Sequence, residues 1–193
     1  MYVFNKETIM LISGNKNKGL AQSLSAIYPD ATFISRESGH DLCDFSQQKQ
    51  FARIAIEHDV IIINSALYQF EQTVLLDTVY KSLVEHQKQA HIVVIGSTTD
   101  RVKNGKAWLY NAEKKALRDY SNTLAIGGVW GDHAPKVSYI SFGTLSNNQE
   151  KHPDRKCLDI TDAACYIKWI IDQPRHLNIN EISIDPMQAN KWY

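Results

Sequence analysis

Residues 8–21 of this chain read TIMLISGNKNKGLA. The apolar run ends at Ser13, Gly14 follows directly, and an amphipathic stretch begins at Gly19. Glycine permits a tight turn close to a ligand, and the free amides at a helix N-terminus stabilise an anion. The stretch therefore predicts a strand, a phosphate-binding turn and a helix, whereas the alternative is an ordinary turn that contains glycine.

The same alternation of apolar runs and amphipathic stretches continues along the chain. Runs that are nearly continuous in Val and Ile are typical of a parallel sheet covered on both faces. The pattern predicts one α/β domain over 1–193, with a doubly wound, mostly parallel Rossmann sheet of about six to seven strands and helices on both faces. The predicted strands are 8–13, 31–35, 60–64, 91–96, 137–141 and 181–184. The predicted helices are 19–28, 47–57, 73–87, 107–125 and 161–173.

Charge and cysteine content narrow the class of partner. Twenty-one basic and twenty-one acidic residues cancel, so we expect neither nucleic acid nor a membrane surface to be a partner. Cys43, Cys157 and Cys165 lack Cys-x-x-Cys spacing, which argues against a disulfide framework and a zinc site. No apolar run approaches the roughly 20 residues of a membrane span, and the N-terminus lacks the layout of a secretory signal. We expect a cytoplasmic protein with a small polar ligand and no metal.

Small and polar residues follow the predicted strands, at the sheet edge where open α/β sheets bind ligands. Arg36 follows the second strand, and a cation there suits the 2′-phosphate of NADP, which makes NAD the less favoured cofactor. Lys16 and Lys18 could extend this positive pocket or be solvated lysines. Asp41 could contact the adenine or be a turn residue. The candidate cofactor-binding residues are Gly14, Asn15, Lys16, Lys18, Gly19, Leu20, Ser35, Arg36, Asp41, Leu42, Asn64, Ser65 and Ala66.

Residues 110–114, which read YNAEK, place a tyrosine and a lysine one helical turn apart. An ammonium group on the same helix face favours the phenolate, so that Tyr110 beside Lys114 becomes a usable acid/base. Ser97, thirteen residues before the tyrosine, could hydrogen-bond a substrate oxygen. The alternative is a solvated helix face. Tyr2 and Lys6 have the same spacing but no upstream serine, and we interpret them as coincidence.

Taken in order, these segments resemble the short-chain dehydrogenase/reductases over about 8–185 of the chain. The resemblance implies that Ser97 orients a substrate carbonyl, that Tyr110 exchanges the proton, and that Lys114 lowers the pKa of Tyr110 and binds the nicotinamide ribose. It also implies that Gly143 and Thr144 approach the nicotinamide. The matching segments are Ser13-Gly14, Gly19-Leu20-Ala21, Asp41-Leu42, Asn64-Ser65-Ala66, Ser97, Tyr110 with Lys114, and Phe142-Gly143-Thr144.

The chain departs from the family pattern in three places. Four residues separate Gly14 from Gly19, where the family has three. Phe142 stands where the family has proline. The helix asparagine that relays protons in the family is not evident, and Thr73 or Asp77 lies near its place. We therefore expect a rebuilt glycine turn and an altered proton relay.

The activity implied by the resemblance is that of an NADP-dependent oxidoreductase. Hydride would pass between nicotinamide and a small carbonyl or alcohol substrate, with Tyr110, Lys114 and Ser97 as the catalytic residues. A catalytically idle dinucleotide-binding regulatory protein is the alternative, motivated by the departures above. Nucleotide-sugar epimerisation would share the tyrosine and the lysine, but it usually needs a larger substrate domain.

The segment 144–159 is rich in Asn, Lys, Asp and His and predicts a substrate-side loop. Only 145–158 is available to cover a substrate. His152 and Arg155 could meet an anionic substrate or simply face solvent. By the resemblance, helices 73–87 and 107–125 pair between subunits, so we expect a homodimer or a homotetramer.

Overall fold

The computed structural model describes residues 8–101, 108–128 and 134–187 of the protein. The Tyr2 and Lys6 pair lies outside these residues, as does the start of the fourth predicted helix. The strands are β1 (Met10–Ser13), β2 (Thr32–Ile34), β3 (Val60–Ile63), β4 (His91–Ser97), β5 (Lys136–Phe142) and β6 (Glu181–Ile184). The helices are α1 (Gly19–Ile27), α2 (Phe45–Ala55), α3 (Glu71–Glu85), α4 (Leu109–Gly128) and α5 (Ile160–Ile171).

The strands form one sheet in the order β2-β1-β3-β4-β5-β6, and every neighbouring pair is parallel. The predicted doubly wound, Rossmann-type parallel sheet is therefore confirmed, with six strands among the described residues. The chain leaves β1 toward β2 and then returns to the other side of β1 as β3. This reversal opens a crevice at the carboxyl ends of β1 and β3, where doubly wound sheets bind ligands.

Helices cover both faces of the sheet because the strand side chains alternate between two apolar cores. Ile61 and Ile63 of β3 pack with α2, α3 and α4, whereas Val60 and Ile62 pack with α1 and α5. All four of these side chains are buried. Each contributes roughly 1.5–3 kcal/mol relative to an exposed position, which explains why the run of β-branched residues specifies a central strand.

The connection between β2 and α2 differs from the prediction. A short 3₁₀ turn over Arg36–Ser38 follows β2, and α2 begins at Phe45 behind an N-cap in which the Asp44 carboxylate accepts from the Ser46 amide at 2.7 Å. Leu42 lies in the core between them and is 3% exposed. The side chain that was expected to line the cofactor site instead anchors this connection by burying its apolar surface.

Candidate active site

The turn after β1 brings its backbone against β3. Gly14 has a φ of +144°, and a Cβ at this position would lie 2.7 Å from Nδ2 of Asn64. Gly19 has a φ of +55° and begins α1, whose N-cap residue Lys18 makes no side-chain capping hydrogen bond. Among the residues that the structure describes, no side chain is hydrogen-bonded to the first amides of α1, and with the positive end of the helix dipole these amides can bind an anion.

A buried hydroxyl fixes the opposite wall of this crevice. Ser13 Oγ accepts hydrogen bonds from the backbone amides of Asn64 and Ser65, at 2.9 and 3.0 Å. Ser13 is fully buried at the end of β1, so the segment after β3 is tied directly to the glycine turn between β1 and α1. This wall and the N-terminus of α1 line one groove of about 1270 Å³. The groove exceeds the usual size of a site for a drug-sized ligand and suits a dinucleotide.

The three expected catalytic residues lie in the same groove. Ser97 ends β4, and Tyr110 and Lys114 are one turn apart near the start of α4. Tyr110 is hydrogen-bonded to Ser97, and the Lys114 ammonium lies 5.3 Å from the centre of the Tyr110 ring. The arrangement places a hydroxyl donor, a phenol and a cation side by side, as acid/base chemistry on an oxygen atom requires.

The charge states within this set differ from the expectation in one respect. Burial raises the pKa of Tyr110, and the hydrogen bond from Ser97 only partly opposes that effect. The expected lowering of the tyrosine pKa by Lys114 is therefore not the net outcome. Lys114 is 2% exposed, and burial lowers its pKa to about 8, against the opposing charges of Glu113 and Asp100. At neutral pH the Tyr110 phenol is therefore protonated.

Thr73 and Asp77 lie near the place expected for the relay asparagine, but the residue that contacts the lysine is Gln72. Its Oε1 accepts from Lys114 Nζ at 2.5 Å, and its Nε2 donates to the Ile95 carbonyl of β4 at 2.8 Å. Asp77 instead accepts from Tyr120 and Lys81. The need of Gln72 for a buried partner could have been inferred from its place on the core-facing stripe of its helix.

Gln72 is a buried amide on the apolar stripe that α3 turns to the core, with Leu75, Leu76, Val79 and Leu83. A polar side chain at such a position needs a buried partner.

The segment after β2, where the sequence predicted contacts with the adenosine part of a cofactor, differs most from the prediction. Arg36 pairs with Asp41 at 3.3 Å, and both side chains are mainly exposed. Lys18 pairs with Glu37 at 3.4 Å. Hydrogen bonds from the backbone first, and then from Asn15, Ser35 and Lys18, hold the pKa of Glu37 at about 2.

The expected cofactor residues thus divide into two groups. The residues that line the groove are Lys18, Gly19, Leu20, Asn64, Ser65, Ala66, Tyr110, Lys114, Gly143 and Thr144. Those outside its lining are Gly14, Asn15, Lys16, Ser35, Arg36, Asp41 and Leu42. Gly14 contributes indirectly, because it allows the turn to approach Asn64. The other six belong to the turn between β1 and α1, to the segment that follows β2, or to the core.

Aromatic rings that the sequence did not single out form the outer wall of the groove. The ring of Tyr110 lies between Tyr68, at 5.8 Å between centres, and Trp108, at 5.5 Å. Glu113 fixes the Tyr68 segment, because its carboxylate accepts from the Gln69 amide at 2.8 Å. These rings account for part of the burial that raises the pKa of Tyr110 and offer an apolar surface for a substrate.

A polar cluster supports the end of β4 from below. Asp100 is 2% exposed and accepts hydrogen bonds from Tyr139 and Ser141, each at 2.9 Å. Gly96 covers the tyrosine so closely that a Cβ there would lie 1.9 Å from its hydroxyl oxygen. The glycine before Ser97 is thus required by packing against a fully buried ring.

The far rim of the groove is formed by residues that follow β5 and β6. Asp185, directly after β6, accepts from the Thr98 hydroxyl at 2.9 Å and lies against Gly143. The expected substrate-side loop 144–159 contains a 3₁₀ turn, Ser146–Lys151, and its ends join through a bridge between Leu145 and Leu158. Asn147 of this turn lies next to Gly19, so the loop reaches the N-terminus of α1.

The described residues contain neither a cluster suited to a metal ion nor a helix suited to a membrane. No group of three His, Cys, Asp or Glu side chains in 8–101, 108–128 and 134–187 is placed to hold a metal ion. No helix in that part of the chain combines the length and the apolar character needed to cross a bilayer.

Comparison with known proteins points to one fold. No family model matches the chain. An uncharacterized oxidoreductase of Staphylococcus saprophyticus is 30% identical over 105 residues, which are 53% of this chain and 44% of that protein. The matched part thus spans less than half the length of that curated relative.

Solved structures match nearly the whole chain. The closed form of a serine dehydrogenase complexed with NADP⁺ aligns with a TM-score of 0.71 at 15% identity, over 96% of each chain. A short-chain dehydrogenase from Burkholderia cenocepacia in complex with NADP aligns with a TM-score of 0.71 at 13% identity, over 92% of this chain and 88% of the other. The protein thus has the fold of the short-chain dehydrogenase/reductases, in a short and divergent form.

Proposed function

We propose that the protein is an NADP-dependent oxidoreductase that acts on a small carbonyl or alcohol substrate. The observation that carries the proposal is the meeting of Ser97, Tyr110 and Lys114 in one groove with the uncapped N-terminus of α1. NADP-bound structures of the same fold and the oxidoreductase name of the sequence relative support it. A purely structural role would not require a buried lysine whose burial lowers its pKa to about 8.

The groove fits a dinucleotide in two respects. The free amides of α1 would hold the pyrophosphate. Gly14, where a Cβ would lie 2.7 Å from the Asn64 side chain, would let the turn and the segment after β3 approach the cofactor together. Asn64, Ser65 and Ala66 would border the adenosine side, and Thr144 the nicotinamide amide. When bound, the cofactor would supply or accept the hydride that is exchanged with the substrate carbon.

The protein's own residues would handle the substrate oxygen. In the reducing direction Tyr110 donates its proton to that oxygen, and Ser97 donates a hydrogen bond that orients it. Lys114, held by Gln72, places its ammonium beside the phenolate that forms and would also bind the nicotinamide ribose. The raised pKa of Tyr110 suits this direction, because the residue begins each cycle as an acid.

The decisive test measures NADPH oxidation with a panel of small aldehydes and ketones. Tyr110→Phe should lower kcat/KM by at least about a hundredfold, because it removes the proton donor while retaining the ring. NADPH affinity, followed by cofactor fluorescence, should change little. Tyr166→Phe, on the exposed surface of α5, is the matched control and should remain active.

Two outcomes would contradict the proposal. Turnover that survives Tyr110→Phe would refute the assigned acid. NADPH binding without turnover of any carbonyl would instead support a catalytically idle dinucleotide-binding protein.

We further propose that two or four copies of the chain associate through α3 and α4. Val84 on α3 and Ile126 on α4 are each about half exposed, at 46% and 55%, so both helices have an apolar side chain available for such a contact. Light scattering of the purified protein should give the mass of a dimer or a tetramer. A monomer at micromolar concentration would contradict this assembly.

A further inference from the structure

The groove concentrates positive charge that the chain as a whole does not have. The full sequence carries equal numbers of basic and acidic residues, 21 of each. The only acidic residue that lines the groove, among those the structure describes, is Asp185. The lysines and arginines that line it are Lys18, Lys114, Lys151, Arg155 and Lys156, and His152 lies among them. Clefts lined by one sign of charge attract ligands of the other sign.

Most of this charge is not neutralised within the protein. Lys18 pairs with Glu37, and Lys114 is held by Gln72. By contrast, none of the ion pairs between described residues involves the side chains that we name the basic rim. The basic rim consists of Lys151, His152, Arg155 and Lys156. Unpaired cations that converge on a concave site indicate an anionic ligand.

The acidic residues near the basic rim do not offset it. Glu150, Asp154 and Asp159 belong to the same loop, but all three are exposed and none is part of the groove lining. The Asp159 carboxylate accepts from the Thr161 amide at the start of α5. Asp185 lies on the opposite rim, where one of its oxygens accepts from Thr98. The side of the groove toward the loop is therefore positive.

The loop that carries the basic rim is held in one shape by its own hydrogen bonds. Gln149 Nε2 donates to the carbonyls of His152 and Arg155, at 3.1 and 3.0 Å. The Arg155 amide donates to the His152 carbonyl at 3.1 Å, and the Leu158 amide to the Thr144 carbonyl at 2.8 Å. The backbone that carries these cations is thus ordered before any ligand binds, which reduces the entropic cost of binding.

From this placement we infer that the basic rim binds an oxyanion of the substrate, a carboxylate or a phosphate, beside the carbonyl that is reduced. The inference rests on the proposed function and adds the substrate class to it. The pyrophosphate of the cofactor already has the amides of α1, whereas no other residue assigned above would hold a charged substrate. Arg155 can bind either oxyanion through two parallel hydrogen bonds.

The chemistry stays balanced, because the oxyanion is a spectator. An oxo acid would gain the hydride at its carbonyl carbon and the Tyr110 proton at its oxygen, leaving the hydroxy acid and the oxidised cofactor. Its carboxylate would remain bound to the basic rim throughout. A phosphorylated hydroxyketone would react in the same way at its carbonyl.

The experiment compares charged and neutral forms of the same carbonyl compounds. The probes are short oxo acids against their methyl esters, and a phosphorylated hydroxyketone against the unphosphorylated one. Binding to the NADP-loaded protein is measured by calorimetry, and turnover by NADPH oxidation. Arg155→Gln combined with Lys156→Gln removes two exposed charges without disturbing the core, and Arg53→Gln, an exposed arginine of α2 away from the groove, is the control.

The wild-type protein should bind and turn over at least one charged probe about tenfold or more better than its neutral partner, as expected for charge-assisted hydrogen bonds. The double variant should lose that preference and keep its rate with the neutral compound, and Arg53→Gln should behave as wild type. The carboxylate and phosphate arms show which oxyanion is preferred.

Equal binding of charged and neutral probes by the wild type would overturn the inference while leaving the oxidoreductase proposal intact. A double variant that loses NADPH affinity and slows equally on both probe forms would assign the cations to the cofactor instead, and would overturn it as well. Absence of any turnover refutes the proposed function, whereas the calorimetric comparison still decides the oxyanion site.

Discussion

Replacement of Gln72 gives the most specific prediction, because this residue joins the buried lysine to the sheet. Gln72→Leu removes the acceptor that lies 2.5 Å from Lys114 Nζ and preserves the approximate side-chain volume. A hydrogen bond to a charged group contributes about 1.5–3 kcal/mol, and about 1.4 kcal/mol corresponds to one pKa unit. The pKa of Lys114, about 8 in the native protein, should therefore fall by roughly 1–2 units.

The assay is the pH profile of kcat/KM for NADPH-dependent carbonyl reduction. The proposed mechanism requires the ammonium form of Lys114, so wild-type activity should decline above about pH 8. In Gln72→Leu the decline should begin near pH 6–7, roughly the lowered pKa, so that activity falls about tenfold at pH 7.5 and little near pH 6. Gln72→Glu places a carboxylate beside the ammonium and should move the decline to higher pH.

Asp77→Asn is the matched control, since this residue of the same helix bonds to Tyr120 and Lys81 and should leave the profile unchanged. Thermal unfolding of each variant separates a loss of fold from a change in the lysine. If both Gln72 variants lowered kcat/KM by one factor at every pH, Gln72 would have only a structural role and the reasoning would be refuted.

Three further predictions follow from packing and charge. Gly96→Ala should destabilise the protein by more than about 3 kcal/mol or prevent folding, because the new methyl group would overlap Tyr139. Gly127→Ala is the control, since open space surrounds this glycine, and it should change the free energy of unfolding in urea by less than about 1 kcal/mol. Burial lowers the pKa of His91 to about 3 from its ordinary 6.5. The contribution of His91 to the free energy of unfolding should therefore be full above pH 6.5 and fall by about 1.4 kcal/mol per pH unit toward pH 3. His91→Asn should flatten this pH dependence in urea titrations, and an unchanged dependence would contradict the assignment. Arg36→Ala should weaken NADPH binding about tenfold and NADH binding little. Asp41→Asn releases Arg36 from its ion pair and should strengthen NADPH binding. Equal changes in the affinity for both cofactors would exclude a 2′-phosphate contact.

The fold could be predicted from the sequence because its signals are local and repeated. Val60–Ile63 specifies a central parallel strand through continuous burial, and the turn from Ser13 to Gly19 marks the first strand-to-helix connection. The meeting of Tyr110 with Ser97 was also accessible, since one begins a helix at the edge of the sheet where the other ends a strand. These inferences need only periodicity and the geometry of the doubly wound sheet.

The parts that were not predicted depend on contacts across the fold. Gln72 reaches Lys114 over 42 positions in sequence, and no local pattern specifies that distance. Leu42 was assigned to the cofactor site by its place after aspartate, but burial of its side chain against the sheet prevails. Arg36 was taken as a free cation, yet Asp41 lies within reach once the 3₁₀ turn forms. In each case packing decides which polar group is available to a ligand.

The central claim is that this groove transfers a hydride while Tyr110 supplies the proton. The most direct test follows deuterium from NADPH labelled at nicotinamide C4 into the alcohol product of the best carbonyl substrate. The wild-type protein should place the label on the former carbonyl carbon. Tyr110→Phe should be slower by at least about a hundredfold at unchanged NADPH affinity. An alcohol that carries no label, or full transfer by Tyr110→Phe, would contradict the central claim.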